Sequence, residues 1–320
     1  MAGETTPAGT APAAPGPWAA VLGSPIAHSL SPALHRAAYG VLGSGPRYER
    51  RETTEQTLPG LAREALADPA WRGFSVTMPL KSAVLDWADR STRFARLVGV
   101  ANTLAPVRGA AGTEVLAHNT DVSGIVNALR HAGVDGSSGL RASIIGGGGT
   151  ATAAAAALHI LGADSVRVYV RNPARAARVE AVAGEIGLRL EFHPLERAAA
   201  ELGGAEIAIC TLPARAFDPL ADRLPEELGS TAVLDVSYDP WPSVLAERAG
   251  ERGARVVSGK DMLLYQAVDQ VKLFTGAPLA EPLPRQAEVL AAMAGAVGLA
   301  PRDYVPAEIS DEALLAPRAG

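Results

Sequence analysis

The stretch Ala142-Ser-Ile-Ile-Gly-Gly-Gly-Gly-Thr-Ala151 decides the fold, because a short apolar strand runs directly into four glycines and then into an alanine-rich helix. Glycines at such a turn let the backbone approach a pyrophosphate closely, and the free N–H groups of the following helix attract its negative charge. Gly146, Gly148 and Ala151 match the spacing G-x-G-x-x-G/A, although this spacing also occurs in ordinary turns between a strand and a helix. The stretch therefore predicts a dinucleotide site, formed by Gly146, Gly147, Gly148, Gly149, Thr150 and Ala151.

The segments that follow the glycines alternate between strand and helix. Four apolar stretches of strand length are predicted to be strands, at 166–170, 188–191, 207–210 and 232–236. A helix is predicted over 174–186, between the first two of them. A repeated order of strand, crossover and strand is typical of a doubly wound parallel sheet. The sequence therefore predicts a Rossmann domain over residues 121–258, which opens with a helix.

The chain before residue 121 predicts a smaller α/β unit. Residues 19–23 are expected to form a short apolar strand, and Ser31 is expected to be the N-cap of a helix that begins one residue later, at a proline. Further strands are predicted, the last two as a hairpin, at 47–52, 73–78, 100–107 and 114–117.

Helical spacing returns after residue 258, and these helices are expected to pack on the first unit. The sequence thus predicts an α/β fold with two domains: a discontinuous substrate-binding domain over 18–120 plus 259–298, and the Rossmann domain with its doubly wound parallel sheet. Residues 1–17 are rich in Ala, Pro, Gly and Thr, and they lack the basic start and the apolar run of a signal peptide. They are predicted to be a disordered tail, and residues 301–320 are predicted to be a second one.

The composition of the 320-residue chain excludes several classes of function. The formal net charge is −5 and the Lys and Arg residues do not cluster, which argues against a nucleic-acid partner or a membrane surface. No uncharged apolar run is long enough to span a bilayer. The single cysteine, Cys210, and the lack of Cys/His clusters with zinc-ligand spacing predict a cytoplasmic protein without a structural metal. We therefore expect a small-molecule substrate, with a homodimer as one candidate assembly.

The residues after the second strand of the Rossmann domain indicate which dinucleotide binds. A carboxylate at this strand end would hold the ribose 2′-OH of NAD, but the sequence reads Val170-Arg-Asn-Pro-Ala-Arg175 and contains none. The forked donors of Arg171 and Arg175 match the oxygens of a 2′-phosphate. This pattern favours NADP, whereas the alternative is that both arginines only decorate the start of a helix.

Lys81 and Asp121 are the candidates for acid–base chemistry. Lys81 is expected in the first turn of a helix, where the helix dipole disfavours a cation, so a compensating group is needed. Asp121 follows the predicted hairpin at the domain boundary and is expected to pair with it. A lone lysine would be interpreted as a solvated surface residue, but this pair fits a ketone reduction, in which a proton reaches the carbonyl oxygen as hydride arrives.

Hydroxyl and amide side chains stand at other ends of the predicted strands. Ser29 and Ser31 follow the first strand, although either also fits a helix N-cap. Asn102 and Gln266 add amides, which taken alone would carry little meaning. Combined with an ammonium and a carboxylate, these groups are suited to a small polyhydroxylated acid.

The order of these motifs resembles the shikimate dehydrogenase family, and above all its actinobacterial members, over residues 20–276. Gly23–Pro32 matches G-x-P-I-x-H-S-x-S-P, and Ser75–Lys81 matches x-V-T-x-P-x-K. Gly99–Leu104 matches G-x-x-N-T-L, and Asn119–Asp121 is N-T-D. The glycine run and the basic strand end follow in the order that this family has.

The resemblance implies NADPH-dependent reduction of 3-dehydroshikimate to shikimate, a step towards chorismate and the aromatic amino acids. It places Lys81 and Asp121 on the family's catalytic pair, with Lys81 as proton donor and Asp121 holding its orientation and charge. Positions of the family's substrate pocket are matched by Ser29, Ser31, Thr77, Asn102, Tyr238 and Gln266. Positions of its cofactor site are matched by the glycine run and by Arg171, Asn172, Arg175, Thr211 and Gly259.

Four departures from the family pattern affect the fit of substrate and nicotinamide. Ser75 replaces a common Asn that can touch the lysine, and Val-Ser-Gly follows Asp121 where Gly-x-Gly is usual. Cys210-Thr-Leu-Pro replaces a run like N-A-T-S, and Asp261 stands where a glycine often lets the backbone approach the cofactor. These departures leave open a paralogue that uses quinate or aminoshikimate with NAD or NADP. A third hypothesis is a non-catalytic nucleotide-binding regulator, against which the intact pair of Lys81 and Asp121 argues.

Overall fold

A computed structural model describes residues 16–110, 112–136, 139–302 and 304–310. The strands within these ranges are β1 (Trp18–Gly23), β2 (Arg47–Glu52), β3 (Trp71–Val76), β4 (Arg90–Ser91), β5 (Thr103–Gly109), β6 (Gly112–His118), β7 (Arg141–Ile145), β8 (Ser165–Val170), β9 (Arg189–Pro194), β10 (Ile207–Cys210), β11 (Ala232–Asp235) and β12 (Arg255–Ser258). The α-helices are α1 (Ser31–Leu42), α2 (Leu58–Ala67), α3 (Arg93–Val98), α4 (Asp121–His131), α5 (Gly149–Ile160), α6 (Ala177–Ile186), α7 (Ala198–Glu201), α8 (Val244–Glu251), α9 (Gly259–Thr275) and α10 (Gln286–Ala296). Short 3₁₀ helices lie at Ala83–Trp87, Pro173–Ala176, Leu195–Arg197, Leu202–Gly204 and Asp218–Arg223.

The first sheet contains β1 to β6 in the order β2-β1-β3-β5-β6-β4. β1 runs parallel to both β2 and β3, whereas β5 is antiparallel to β3 and to β6. β5 and β6 form the hairpin that the sequence predicts. Because β1 and β3 are parallel neighbours, the loops that follow them leave the sheet at the same edge.

The second sheet consists of six parallel strands in the order β12-β11-β10-β7-β8-β9. This is the doubly wound order predicted for the Rossmann domain, so that prediction of the fold is confirmed. The strand order reverses between β7 and β10, and a crevice therefore opens beyond their carboxyl ends. The glycine run follows β7, and Thr211 follows β10. Helix α5 is buried over residues 151–158, six of which are alanine, and this lets the helix lie deep in the domain.

Helices α4 and α9 connect the two sheets. They pack along each other, α4 also packs on α5, and α9 also packs on β3 and β5. A Cβ atom on Gly124 would lie 2.8 Å from the Gln266 Cβ and 2.8 Å from the Met262 carbonyl oxygen, so this close approach requires glycine. α10 packs on α1, and the helices after residue 258 thus return to the first unit as expected. The exact domain limits, 18–120 plus 259–298 and 121–258, stay predictions.

Two predictions about local structure are wrong. Leu30 is the N-cap residue of α1, and Ser31 is the first helical residue, whose N–H lies 3.4 Å from the Ser29 Oγ that accepts it. Lys81 lies in a turn before the 3₁₀ helix Ala83–Trp87, so the unfavourable helix dipole expected for it does not arise.

The segment 304–310 falls inside the range predicted to be a disordered second tail, and here the structure differs from the prediction. Asn127 on α4 binds this segment: its Oδ1 accepts from Tyr304 Oη at 2.8 Å and from the Ala307 N–H at 3.0 Å, and its Nδ2 donates to the Ala307 carbonyl at 3.1 Å. Arg302 pairs with Asp261 at 2.5 Å, and both side chains are 10% exposed. The other parts of the predicted tails, 1–15 and 311–320, lie outside the described residues.

The apolar interior is continuous across the junction of the domains. One cluster of buried side chains includes Leu34 of α1, Ile125 of α4, Ile144 of β7 and Val268 of α9. A second cluster covers one face of the first sheet, around Trp71 and Phe74. Within the described ranges, no helix has the length and apolar character needed to cross a membrane.

Candidate active site

A cavity of about 260 Å³ lies between the loops that follow β1, β3 and β11 and the first turns of α4 and α9. All eight residues that the sequence assigns to catalysis or substrate binding line it, namely Ser29, Ser31, Thr77, Lys81, Asn102, Asp121, Tyr238 and Gln266. Thr150 and Gly259, which the sequence assigns to the cofactor, line it as well. The cavity is therefore shared by the first domain and the glycine run of the second.

Lys81 and Asp121 form an ion pair in this cavity. The Lys81 Nζ lies 2.5 Å from Asp121 Oδ2, and the side chains are 18% and 6% exposed. Asp121 is the first residue of α4, where the helix dipole favours a carboxylate. Its Oδ1 accepts a hydrogen bond from Asn102 Nδ2 at 2.8 Å. Both carboxylate oxygens are thus bound, whereas the ammonium, with three N–H donors, retains donors for a ligand.

Asn102 is buried and holds the start of α4 in place. Its Oδ1 accepts from the Thr120 N–H at 2.8 Å, and its Nδ2 lies 2.8 Å from Thr120 Oγ1 and 3.2 Å from Gln266 Oε1. The Gln266 Nε2 donates to the Leu263 carbonyl within α9 at 3.0 Å. Asn102, just before β5, therefore binds side chains at the start of α4 and on α9. These contacts within the protein hold the amides and the carboxylate in place.

Hydroxyl groups line another part of the cavity. Ser29 is half-buried in the loop after β1, and Ser31 is buried at the start of α1. Thr77 follows β3, and a Cβ atom on Gly23 would lie only 2.5 Å from its methyl carbon. Glycine at the end of β1 therefore leaves the space that Thr77 fills. Hydroxyls both donate and accept, so these three suit the oxygen atoms of an acid or a polyol.

Tyr238 lies in the loop after β11, and Asp235 holds this loop. The Asp235 carboxylate accepts from the Ser237 N–H at 3.0 Å and from Ser243 Oγ at 2.6 Å, so it joins both ends of the loop. Burial raises the pKa of the Tyr238 hydroxyl, and the charge of Asp239 acts in the same direction. Tyr238 therefore keeps its proton at neutral pH and can donate a hydrogen bond into the cavity.

The glycine run forms the turn between β7 and α5. Gly146 has φ +116°, and a Cβ atom there would lie 2.5 Å from Thr211 Oγ1, so conformation and space both require glycine. A Cβ atom on Gly147 would lie 2.9 Å from the Cβ of Ala176. Gly148 is the N-cap residue of α5, and a Cβ atom there would meet nothing within 4 Å. The chain thus leaves open space beside the start of α5, where a phosphate site needs it.

The end of β8 presents the two arginines that the sequence assigns to the cofactor. Arg171 and Arg175 are exposed, and neither guanidinium group has a hydrogen-bond or ion-pair partner among the residues that the structure describes. Asn172 Oδ1 accepts from the Ala174 N–H at 3.0 Å and caps the 3₁₀ helix Pro173–Ala176. Asn172 therefore shapes the turn that carries both guanidinium groups.

Arg178 connects the second domain to the first. Its guanidinium donates to the carbonyl of Gly99, in the segment that leads to Asn102. Gly99 has φ +64°, and a Cβ atom there would overlap the guanidinium of Arg178. Glycine is therefore required for two reasons, and the arginine-bearing turn after β8 is joined to the substrate side.

Two departures from the family pattern have local structural partners. Ser123 Oγ lies 3.0 Å from the Thr120 carbonyl oxygen and 2.5 Å from Asp269 Oδ2, and the contact with Asp269 ties α4 to α9. Asp261 Oδ2 accepts from the Ser258 N–H at 3.2 Å and completes a capping box at the start of α9, while Oδ1 pairs with Arg302. The Asp261 carboxylate is thus used by the helix cap and by Arg302, and how its backbone lies relative to the cofactor stays a prediction.

A third departure, the sequence around Cys210, leaves the cysteine inside the protein. Cys210 is buried at the end of β10, and burial raises the pKa of its thiol. The next residue, Thr211, reaches the turn: its N–H donates to the Ile145 carbonyl at 2.8 Å, and its hydroxyl stands beside Gly146. Thr211 is therefore the member of this run that the structure places at the glycine turn.

Sequence reasoning did not identify three polar residues: Gln270, which lines the cavity, and His35 and Tyr48, which lie behind its wall. Gln270 lies one helical turn after Gln266 on α9, and this spacing is a signal that could have identified it. His35 has the same spacing from Ser31 on α1. Tyr48 offers a weaker signal, as the single aromatic residue of the charged strand Arg47–Glu52.

Comparison with known proteins agrees with this geometry. Residues 21–104 match the family model of the shikimate dehydrogenase substrate binding domain. A curated relative, shikimate dehydrogenase (NADP(+)) from Rubrobacter xylanophilus, is 39% identical over 261 residues, which are 80% of this chain and 89% of the relative.

Two crystal structures are also similar to this chain. Mycobacterium tuberculosis shikimate dehydrogenase is 40% identical with a TM-score of 0.73, and the match covers 87% of this chain and 99% of that one. Shikimate 5-dehydrogenase from Thermus thermophilus, in complex with NADP(H) and shikimate, is 34% identical with a TM-score of 0.71, and the match covers 88% and 99%. The chain belongs to the shikimate dehydrogenase family, as the order of its sequence motifs predicts.

Proposed function

We propose that the chain catalyses the reversible NADPH-dependent reduction of 3-dehydroshikimate to shikimate. The observation that carries this proposal is the Lys81–Asp121 ion pair, which stands in a cavity that hydroxyl and amide groups share with the glycine run. The Rubrobacter relative is named for the same activity with NADP, and the Thermus structure holds NADP(H) and shikimate.

The second domain fits NADP. Gly146 and Gly148 leave room for a pyrophosphate where the first N–H groups of α5 are free. Arg171 and Arg175 offer forked donors to a 2′-phosphate, and residues 171–175 contain no carboxylate to hold a ribose 2′-OH. When bound, the nicotinamide supplies the hydride for the carbonyl carbon.

Lys81 is assigned the proton transfer. Its ammonium donates a hydrogen bond to the carbonyl oxygen of the substrate and gives that oxygen a proton as negative charge develops there. Asp121, 2.5 Å from Nζ, keeps the cation in place. In the direction of oxidation, the neutral amine takes the proton from the substrate hydroxyl, and Asp121 stabilises the ammonium that forms.

The remaining side chains of the cavity fit a small polyhydroxylated acid. Lys81 is the one lysine or arginine among the described residues that line the cavity, so a carboxylate elsewhere in it depends on other donors. Ser29, Ser31, Thr77 and Tyr238 supply such donors as O–H groups. A volume of about 260 Å³ suits a molecule with a single six-membered ring.

The test is a matrix of cofactors and substrates on the purified full chain. Steady-state rates are measured with NADP and with NAD on shikimate, quinate and aminoshikimate, with Lys81→Ala in parallel as a control for contaminating activity. We expect the highest kcat/KM for shikimate with NADP. Equal or better rates with quinate and NAD would overturn the proposal in favour of a quinate enzyme. Nucleotide binding without turnover of any of the three would instead indicate a regulator.

We also propose that the chain works in the cytoplasm and as a homodimer. A reducing compartment suits a chain whose single cysteine, Cys210, is buried and free. Two-fold dimers are the commonest assembly of enzymes of this size. Light scattering after size-exclusion chromatography tests the dimer, and a mass of one chain at micromolar concentration would contradict it.

A further inference from the structure

A group of polar side chains lies behind the wall of the cavity, and the mechanism above uses none of them. We call it the Tyr48 cluster, and it consists of His35, Tyr39, Tyr48, Ser75 and Gln270. Ser75 and Gln270 also line the cavity, whereas Tyr48 and His35 do not. Tyr48, Ser75, Gln270 and His35 are at most 4% exposed, so each of their polar atoms depends on partners within the protein.

The orientation of the Gln270 amide is determined by its surroundings. Its Nε2 lies 2.9 Å from Thr103 Oγ1 and 3.3 Å from the carbonyl oxygen of Asn102. A carbonyl oxygen only accepts hydrogen bonds, so the NH₂ group has to face it, because a reversed amide would place two carbonyl oxygens together. Gln270 Oε1 therefore faces Ser75 and His35 and accepts from both.

The proton of the Ser75 hydroxyl is consequently committed to Gln270. Ser75 Oγ donates to Gln270 Oε1 at 2.7 Å, and it accepts from Tyr48 Oη at 2.7 Å. A hydroxyl has one proton and two lone pairs. With the proton and one lone pair in use, Ser75 has only a lone pair left for a ligand in the cavity.

Burial keeps the protonation states of this cluster constant at neutral pH. It raises the pKa of the Tyr48 hydroxyl well above its usual range, and it lowers the pKa of His35 to about 3. Tyr48 thus remains a donor and the imidazole remains neutral. Since His35 Nε2 faces Gln270 Oε1 at 3.4 Å, the single ring proton lies on Nε2, and Nδ1 accepts from Tyr39 Oη at 3.0 Å.

Tyr48 contacts one of the hydroxyls that line the cavity, that of Ser75 on β3. Its ring is held by stacking on His35, with centroids 3.9 Å apart and planes at 9°. A rigid ring behind the wall thus holds the hydroxyl that binds Ser75.

We propose that Tyr48 is a positioning residue that presents Ser75 to the substrate as a hydrogen-bond acceptor, so that the wall binds a ring hydroxyl at this point. This inference rests on the proposed function. Lys81 offers donors to the ketone oxygen and Ser75 offers only an acceptor, so together they distinguish the ketone of the ring from a position that carries a hydroxyl. The asparagine that the family commonly has in place of Ser75 would add N–H donors here, and serine backed by Tyr48 removes them.

The first experiment compares Tyr48→Phe with Tyr39→Phe in the full-length enzyme. Tyr48→Phe keeps the ring stacked on His35 and removes the hydroxyl that donates to Ser75. We expect KM for shikimate to rise about fivefold, the loss of roughly one hydrogen bond, with kcat and KM for NADP changed less than about twofold. Tyr39→Phe removes a hydroxyl from the same cluster that contacts no residue of the cavity wall, so its KM values should equal those of the wild type. A Tyr48→Phe enzyme whose thermal stability falls while KM for shikimate is unchanged would overturn the proposal.

The second experiment tests the acceptor itself and does not depend on Tyr48→Phe being stable. Ser75→Ala and the wild type are compared on shikimate and on analogues in which one ring hydroxyl at a time is replaced by hydrogen. One analogue should lose affinity for the wild type about tenfold and lose none on Ser75→Ala, because the partner of that hydroxyl is already gone. Equal losses on both enzymes for every analogue would overturn the proposal. Where Tyr48→Phe is stable, it should change KM less than about twofold in the Ser75→Ala background, and an additive increase would count against the proposal.

The two levels of the hypothesis fail in different ways. A wild-type chain that does not oxidise shikimate with NADP contradicts the proposed function. A wild type that does so, with a KM for shikimate insensitive to both Tyr48→Phe and Ser75→Ala, contradicts only the role of Tyr48.

Discussion

The two halves of the cleft are constructed in opposite ways. On the substrate side, Lys81, Asn102 and Asp121 are bound to one another by side-chain contacts and are largely buried. On the cofactor side, Arg171 and Arg175 are exposed and, within the described ranges, their guanidinium groups have no partner. The reacting groups are therefore held by contacts within the protein, and catalysis requires such a fixed geometry, since small displacements are costly. The cofactor half instead presents charge that a phosphate would neutralise.

The largest effect is expected when the proton donor of the substrate half is removed. Lys81→Ala removes the proton donor but leaves the hydroxyl and amide lining, so we expect kcat to fall at least about a hundredfold while shikimate still binds. Steady-state kinetics and a binding titration measure the two quantities. Arg285→Ala, which breaks an exposed ion pair with Glu288, is the control and should keep full activity. An unchanged kcat in Lys81→Ala would show that the acid–base pair is misassigned.

A smaller effect is expected on the cofactor side, where each charge acts alone. Arg171→Ala and Arg175→Ala should each raise KM for NADP about tenfold or more, because a charged contact to the 2′-phosphate is lost. KM for NAD, which lacks this phosphate, and KM for shikimate should not change. Arg189→Ala, at an exposed position on β9, is the matched control. The assignment of NADP to this strand end fails if NADP and NAD are affected equally.

The buried polar cluster of the substrate half should make stability depend on pH. His35 has a pKa lowered to about 3 by burial, whereas a histidine in an unfolded chain titrates near about 6.5. Between these values the unfolded state binds the extra proton, so the free energy of unfolding falls as pH decreases through this window. From pH 6.5 to pH 5 the loss is roughly 1.5 kcal/mol.

Urea unfolding at both pH values measures this loss in the wild type and in His35→Gln. The variant should lose less stability by that amount, because it lacks the titrating group. His28→Gln, which changes a side chain that is 79% exposed, should behave like the wild type. Parallel losses in wild type and His35→Gln would contradict the assignment to His35.

The smallest effect is expected at the boundary of the two halves, where α9 begins. Arg302→Gln removes the partner of Asp261 in an ion pair whose side chains are 10% exposed. We expect a loss of about 1 kcal/mol in the free energy of unfolding, between the values typical of exposed and of buried pairs. Chemical denaturation measures it, and Arg285→Ala again provides the exposed pair for comparison. A loss no larger than that of Arg285→Ala would show that Asp261 needs only its helix cap.

The sequence was informative where function depends on residues at the ends of strands. The glycine run, Lys81 and Asp121 each follow a strand or hairpin that the hydrophobic pattern reveals. β3 and β6 are both antiparallel to β5, so they bring Lys81 and Asp121 to the same edge of the first sheet. The Tyr48 cluster was not predictable in this way, because its bonds join residues as far apart as Ser75 and Gln270, which are separated by 195 positions. Single polar residues in different elements carry no common pattern until the fold places them side by side.

Errors in the local predictions have a similar cause. Ser31 is a residue type that is common at N-caps, but its side chain lines the cavity, and Leu30 is the N-cap residue. The segment 304–310 has the composition of a tail, yet one amide, Asn127, satisfies its backbone from 180 positions away. Composition describes what a segment can do alone, and in both places the tertiary surroundings determine the local structure.

The bond from Arg178 to Gly99 has a consequence for protein engineering. A graft that changes the cofactor preference to NAD would replace residues 171–175. It keeps the bond from Arg178 to Gly99 only if the exchanged segment ends before Arg178. A whole Rossmann domain transplanted from another protein would lose this bond unless it carries an arginine at the same place, since the Gly99 carbonyl that accepts it belongs to the recipient. In chimaeras of this family, the two residues should be exchanged together or not at all.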